Sequence, residues 1–250
     1  MVSLKDVLSH HSSDDDLYIT RSHMKWQAEG RRYTEAAVER VLEVMHHDFL
    51  TADRGDGKGR VRASMLNDPC LRKQQLSFIG ERAAPPPRTL QSIFDIGTFA
   101  HYRWQLAGLS AGWLTDIEVP VMTEYGAGGA LDGVTSRNEP FEFKTANSAT
   151  YRKVLKHGPL AGHILQVHPY MQARGATQAR IMYEDKSWDG SFLEFVVKFD
   201  QETADKVQQM CEMVTGDEQL PPVSACVTRS GELFRGCAFT EACRPWEWSS

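Results

Sequence analysis

Apolar positions recur at helical spacing in four stretches of the chain. In residues 33–49, Ala37, Val38, Val41, Leu42 and Met45 form one stripe, which predicts an amphipathic helix with Thr34 as its N-cap. Residues 90–109 predict a second helix, with Ile93, Phe94, Ile96, Ala100 and Trp104 available for packing. Residues 157–173 predict a third, entered through Gly158-Pro159 and kinked at Pro169. Residues 200–214 predict a fourth, capped by Asp200 and carrying Cys211 as a core or interface cysteine. A shorter helix, capped by Ser64, is broken or restarted by Pro69, leaving Cys70 at a helix start.

Strand-like alternation appears between these stretches. Residues 115–123 predict a strand that Pro120 places at a sheet edge. After a Gly-rich turn at 125–129, residues 130–135 and 140–145 predict a β-hairpin around the polar turn 136–139. Residues 179–184 and 192–199 predict two more strands. From Leu90 onward the order is helix, three strands, helix, two strands, helix. Sequential strands usually neighbour one another, so this order predicts an α/β fold with a central mixed sheet flanked by helices. Residues 1–60 read as an N-terminal helical extension, 61–215 as the core and 216–250 as an irregular tail containing cysteines. The Gly-rich basic loop at 51–62 and the stiff Pro85-Pro86-Pro87 run are connectors.

Composition adds limits. The 250 residues suffice for a sizeable core, and no apolar run has signal-peptide or membrane-spanning character. That predicts a cytoplasmic protein with no membrane partner, in which five cysteines are not a disulfide set. A net charge of −5 argues against general nucleic-acid affinity, but residues 54–103 carry nine Lys/Arg against four Asp/Glu. A locally basic middle can follow a phosphate backbone, or be ordinary surface charge.

The hairpin carries the candidate chemistry. Side chains alternate along a strand, so Glu142 and Lys144 face one way while Phe141 and Phe143 face the core. With Asp132 on the first strand, two carboxylates and an ammonium can meet on one patch. Two acids can hold a hard divalent cation, and a lysine can orient water or stabilise a phosphoryl oxygen. Taken alone, Glu-x-Lys is more often a solvated face. Gly97 and His101 lie one helical turn apart, as do Gln166 and Tyr170. Glu118 either joins the hairpin patch or faces solvent.

In order, Gly97-x-x-x-His101, Gly129-Ala-Leu-Asp132-Gly133, Glu142-Phe-Lys144-Thr145 and Gln166-x-x-x-Tyr170 resemble the motif set of RecB-type nucleases of the PD-(D/E)xK superfamily, over residues 62–200. The resemblance implies a restriction-endonuclease-like core and a metal-dependent DNA exonuclease. His101, Asp132, Glu142 and the carbonyl of Phe143 would hold Mg²⁺ or Mn²⁺. Lys144 would position or activate the attacking water, and Gln166 and Tyr170 would lie beside the site and contact DNA or order the lysine, with Glu118 in the same surrounding group. Partners implied are single-stranded DNA or duplex ends and a recombinase, helicase or CRISPR integrase, since the chain carries no helicase phosphate loop. An oligomer is compatible with this reading. The alternative is a catalytically silent DNA-end-binding or assembly factor on the same fold.

In one branch of that family, one cysteine before the core and three after it bind a 4Fe–4S cluster. Cys70, Cys226, Cys237 and Cys243 resemble that set, and four thiolates can equally hold Zn²⁺. The trailing spacing departs from the branch: Phe234 stands where its first cysteine falls, and Cys226 lies upstream.

Overall fold

The computed structural model describes residues 17–50, 58–66, 68, 70–187, 191–223, 226 and 237–244. Residues 51–57 of the basic loop, Pro69 and Phe234 lie outside these. The helices are α1 (Tyr18–Ala28), α2 (Glu35–Leu50), α3 (Leu71–Phe78), α4 (Arg88–Ala111), α5 (Ser148–His157), α6 (Ala161–Arg174), α7 (Gln201–Thr215) and α8 (Thr240–Cys243). The strands are β1 (Val61–Arg62), β2 (Leu114–Asp116), β3 (Val119–Met122), β4 (Ala127–Leu131), β5 (Gly133–Thr135), β6 (Pro140–Ala146), β7 (Gln178–Asp185) and β8 (Phe192–Lys198).

Five strands form a mixed sheet in the order β2-β5-β6-β7-β8, and three form a second sheet in the order β1-β4-β3. The runs expected as single strands at 115–123 and 130–135 therefore each divide in two. The chain changes sheet at Ile117–Glu118 and again at Asp132. Across both breaks the antiparallel register is continuous: Val119 faces Leu131 on one side and Asp116 faces Val134 on the other. Glu118 is thus carried opposite Asp132 at the seam. Gly133 is small for a packing reason, since a Cβ there would stand 2.7 Å from a methyl of Leu114.

β6 is the middle strand of the larger sheet and pairs in parallel with β7, with Lys144 against Tyr183 and Glu142 against Ile181. Its alternation divides the core. Phe141 and Phe143, each 1% exposed, pack with Trp104, Trp113, Ile19 and Met182 beneath α4 and α1. Full burial of each phenyl ring contributes about 1.5–3 kcal/mol. The opposite face packs Ile181 and Tyr183 with Val167, Tyr170 and Met171 of α6. Helices on both faces are what a buried parallel pair requires.

Capping follows the sequence at two helices: Thr34 Oγ1 accepts from Ala37 N at 3.3 Å, and Asp200 Oδ2 accepts from Thr203 N at 2.8 Å. Two expectations are corrected. The helix expected to begin at 157 is preceded by a separate one, α5, capped by Asn147, whose Oδ1 accepts from Thr150 N at 2.8 Å. Among the described residues nothing covers the apolar side chains of the first turns of α4, so Ile93, Phe94 and Ile96 are exposed rather than packed. Among the described residues no helix is long and apolar enough to cross a membrane.

Candidate active site

Asp132 sits at the seam because the chain leaves β4 and enters β5 there. Its two oxygens are held from different elements. Oδ2 accepts the Phe143 backbone N–H at 2.6 Å, and Oδ1 lies 3.2 Å from His101 Nδ1 on α4. The Phe143 ring meets the His101 ring edge-on at 5.0 Å, which fixes the imidazole over the end of β6. Burial opposes charge on Asp132, but His101, Lys144 and the Phe143 amide outweigh it and lower its pKa. Burial likewise opposes the imidazolium of His101, and Asp132 overrides it, raising that pKa.

Glu142 lies one alternation before Lys144, so both stand on the α6 face of β6. Lys144 Nζ is 2.5 Å from Glu142 Oε1, and Gln166 Nε2 donates to the same oxygen at 2.7 Å. Glu142 Oε2 is buried and takes no hydrogen bond. Burial, then the charge of Asp132, push the Glu142 carboxyl up to about 7. Burial works against the Lys144 ammonium, yet Glu142 and Asp132 outweigh it and keep the lysine protonated.

Glu118 belongs to this group and does not face solvent. Its carboxylate accepts from Gln105 Nε2 at 2.7 Å, and the same nitrogen donates to the Asp132 carbonyl at 2.9 Å. Its backbone is left-handed, at φ 49°, which is where the chain turns between sheets. Burial, then Asp132, raise its pKa to about 7. Gln105 escaped the sequence reading, although it repeats the four-residue stride of Gly97 and His101. Gly97 itself faces Thr145 Oγ1 at 3.7 Å from a built Cβ, an ordinary contact, so alanine would fit there. Tyr170 abuts the seam from α6: a Cβ on Gly129 would stand 2.9 Å from its hydroxyl. Gln166 orders Glu142 rather than Lys144.

Three carboxylates, one imidazole and one ammonium therefore share a single buried patch, and two of the carboxyls hold protons to near neutrality. This is a donor set that gains by accepting a cation: hard oxygen ligands predominate, and Glu142 Oε2 lacks any partner. Among the described residues no three His, Cys, Asp or Glu side chains already stand at ligand separation. In the active-site group Lys144 and Gln166 occupy Glu142 Oε1, and His101 and the Phe143 amide occupy the two oxygens of Asp132, so of these two carboxylates Glu142 Oε2 is the oxygen left open.

The four cysteines expected to act together do converge. Cys70 at the start of α3, Cys226, Cys237 and Cys243 line one small cavity, of about 20 Å³, with Lys73, Leu76, Pro222, Phe239 and Thr240. Cys211 is elsewhere, fully buried on α7.

The fold is α/β, a mixed sheet flanked by helices with a restriction-endonuclease-like core. Neither a family model nor a curated protein matches the chain. Solved structures do. The chain is similar to the alkaline exonuclease LHK-Exo from Laribacter hongkongensis in complex with dAMP, at 16% identity and a TM-score of 0.51, covering 63% of this chain and 87% of that one. Another structure of LHK-Exo gives 16% identity and 0.49, covering 62% and 86%. SSO0001 gives 15% and 0.48, covering 82% and 95%. At 16% identity the likeness to the dAMP complex establishes the fold alone.

Proposed function

We propose that this chain is a divalent-metal-dependent deoxyribonuclease acting as an exonuclease. One observation carries the reading: a buried Glu142 carboxylate with an unpartnered oxygen, set beside Lys144 and facing the same seam as Asp132. His101, Asp132, Glu142 and the Phe143 carbonyl would hold Mg²⁺ or Mn²⁺, with Glu118 as a further acid. Bound there, the cation would supply Lewis-acid stabilisation of phosphoryl charge and lower the pKa of water.

The chain's own residues do the rest. Lys144, beside Glu142, would position or activate the attacking water and offset charge on the phosphoryl oxygen. Gln166 holds Glu142 in place, and His101 and the Phe143 amide hold Asp132. Exonuclease action is favoured by the fold neighbour, an exonuclease whose complex contains dAMP.

The test is cleavage of end-labelled linear and covalently closed circular DNA with Mn²⁺, Mg²⁺ or EDTA, comparing wild type with Lys144→Ala. Metal-dependent loss of linear DNA by wild type alone supports the reading, and sparing of circles makes it an exonuclease. Binding of DNA ends with no cleavage by either protein replaces it with an assembly factor.

We also propose that Cys70, Cys226, Cys237 and Cys243 hold a 4Fe–4S cluster, with Zn²⁺ as the alternative, which would fasten the tail to α3. The cavity lined by all four supports this, and the thiols must close further to ligate. Iron, sulfide and zinc analysis of anaerobically purified protein decides between them.

A further inference from the structure

α6 presents one stripe to the sheet: His163, Gln166 and Tyr170, three and four residues apart. Gln166 reaches Glu142 and Tyr170 abuts Gly129. His163 reaches Tyr183, the register partner of Lys144 on β7, so the pair lies on the same face as the lysine. His163 Nδ1 is 2.6 Å from the Tyr183 hydroxyl, with ring centroids 5.5 Å apart.

The bonding fixes the tautomer. The Tyr183 oxygen accepts the Leu160 backbone N–H at 3.1 Å, and a phenol has a single proton to give. If Nδ1 carried the imidazole proton, the phenol oxygen would accept twice and its own proton would have no partner. The satisfied arrangement is Tyr183 O–H donating to Nδ1, which places the ring proton on Nε2. Burial and the charge of Lys144 lower the His163 pKa to about 4, so the ring is neutral at pH 7. Among the described residues Nε2 makes no hydrogen bond.

The Lys144 face of the sheet thus carries an uncharged N–H donor whose ring is held by Tyr183, the register neighbour of Lys144. Such a group has no acidic proton to deliver to a leaving oxygen, but it can bond to a charged one without adding a second cation beside the ammonium. We infer that His163 contacts the substrate, its Nε2–H donating to a non-bridging phosphate oxygen of the strand seated over Lys144, with Tyr183 as the positioning residue that fixes the ring. This rests on the phosphodiester-cleaving function proposed above.

The test combines ¹⁵N NMR of histidine-labelled wild type with DNA affinity in Ca²⁺ and single-turnover cleavage in Mn²⁺. Expected are the Nε2–H tautomer of His163 at pH 7, and a rate about 10²-fold lower for His163→Ala, the scale of one lost donor to a developing oxyanion. His163→Gln, whose amide N–H can reach the same oxygen, should recover part of that rate. Tyr183→Phe should shift the tautomer signal and fall between. DNA affinity in Ca²⁺ should change much less than the rate in His163→Ala. An Nδ1–H tautomer, or His163→Ala cleaving at the wild-type rate while wild type is active, overturns this inference and leaves the nuclease reading intact. Wild type inactive with every cation overturns both.

Discussion

Gln166 Nε2 donates to Glu142 Oε1 at 2.7 Å, across the gap between α6 and β6. The bond settles which oxygen of Glu142 is occupied. Oε1 serves Gln166 and Lys144, and Oε2 is left buried with nothing to accept from. A carboxylate held by one oxygen with the other bare is oriented for a ligand.

Gln166→Ala should therefore weaken the site without removing any charge. Supporting partners of this kind are worth about 10–100-fold in metal affinity or activity. Glu142→Gln, which keeps the shape and removes the charge, should cost more than Gln166→Ala in both. Calorimetric Mn²⁺ titration and single-turnover cleavage measure the two effects. Equal metal affinity in wild type and Glu142→Gln would exclude Glu142 as a ligand.

A second prediction concerns pH. Glu118 and Glu142 are raised from 4.5 to about 7 in the folded protein by burial and by Asp132. The folded state thus binds their protons more tightly than the unfolded chain does. Their contribution to stability is full below about 4.5 and is lost as pH rises through about 7. A cation held by these carboxylates would replace those protons. Stabilisation by Mn²⁺ should accordingly be larger at pH 8 than at pH 5. A hundredfold excess over Kd gives about 2.7 kcal/mol, roughly 5–10 °C in Tm for a chain of this size. Melting curves with Mn²⁺ and with EDTA at both pH values read it, and an equal Tm shift at the two would contradict the assignment of these carboxylates to the cation site.

The grouping of the candidate site residues was largely legible because strand alternation is local. Glu142 and Lys144 share a face whatever the sheet does, and His101 lies one turn from Gly97 in any helix. The seam was not legible. Residues 115–123 and 130–135 have continuous strand patterns, and it is the pairing of each half with a different sheet that breaks them at Glu118 and Asp132. α1 escaped because it buries Thr20 and His23 alongside Ile19 and Trp26, which blurs its apolar stripe. α5 buries only Tyr151 and Val154, and its one sharp signal was the Asn147 cap. Ile93, Phe94 and Ile96 misled because apolar periodicity reports a helix and not whether anything lies against it.

The cysteines give a third prediction, in which Cys211 is the control. Cys70→Ser and Cys243→Ser should each lose bound iron or zinc and lower Tm, because both thiols line the shared cavity. Cys211→Ala should keep the full metal content, since Cys211 packs in the core on α7. Metal analysis of the three variants checks this. Metal lost from Cys211→Ala, or kept in both Ser variants, would remove the four-cysteine site.

The last prediction concerns how the N-terminal segment is held. Arg180 on β7 is 1% exposed and donates through Nε to Glu139 Oε2 at 2.7 Å and through a terminal nitrogen to Glu194 Oε1 at 2.9 Å. Glu194 in turn receives the Ile19 and Thr20 backbone amides at 3.2 and 2.7 Å and the Thr20 hydroxyl at 2.8 Å, which ties the start of α1 to β8. Removing one partner of such a pair strands the others, at a cost of about 3–5 kcal/mol. Arg180→Met should lose that much in urea denaturation. Burial already raises the Glu194 pKa, and without the guanidinium it rises further, so the stranded carboxylate can be relieved by protonation. The loss should then be smaller at pH 5 than at pH 8. A loss below about 1 kcal/mol at both pH values, the range of an exposed pair, would mean that α1 is held by its apolar contacts and not by this buried network.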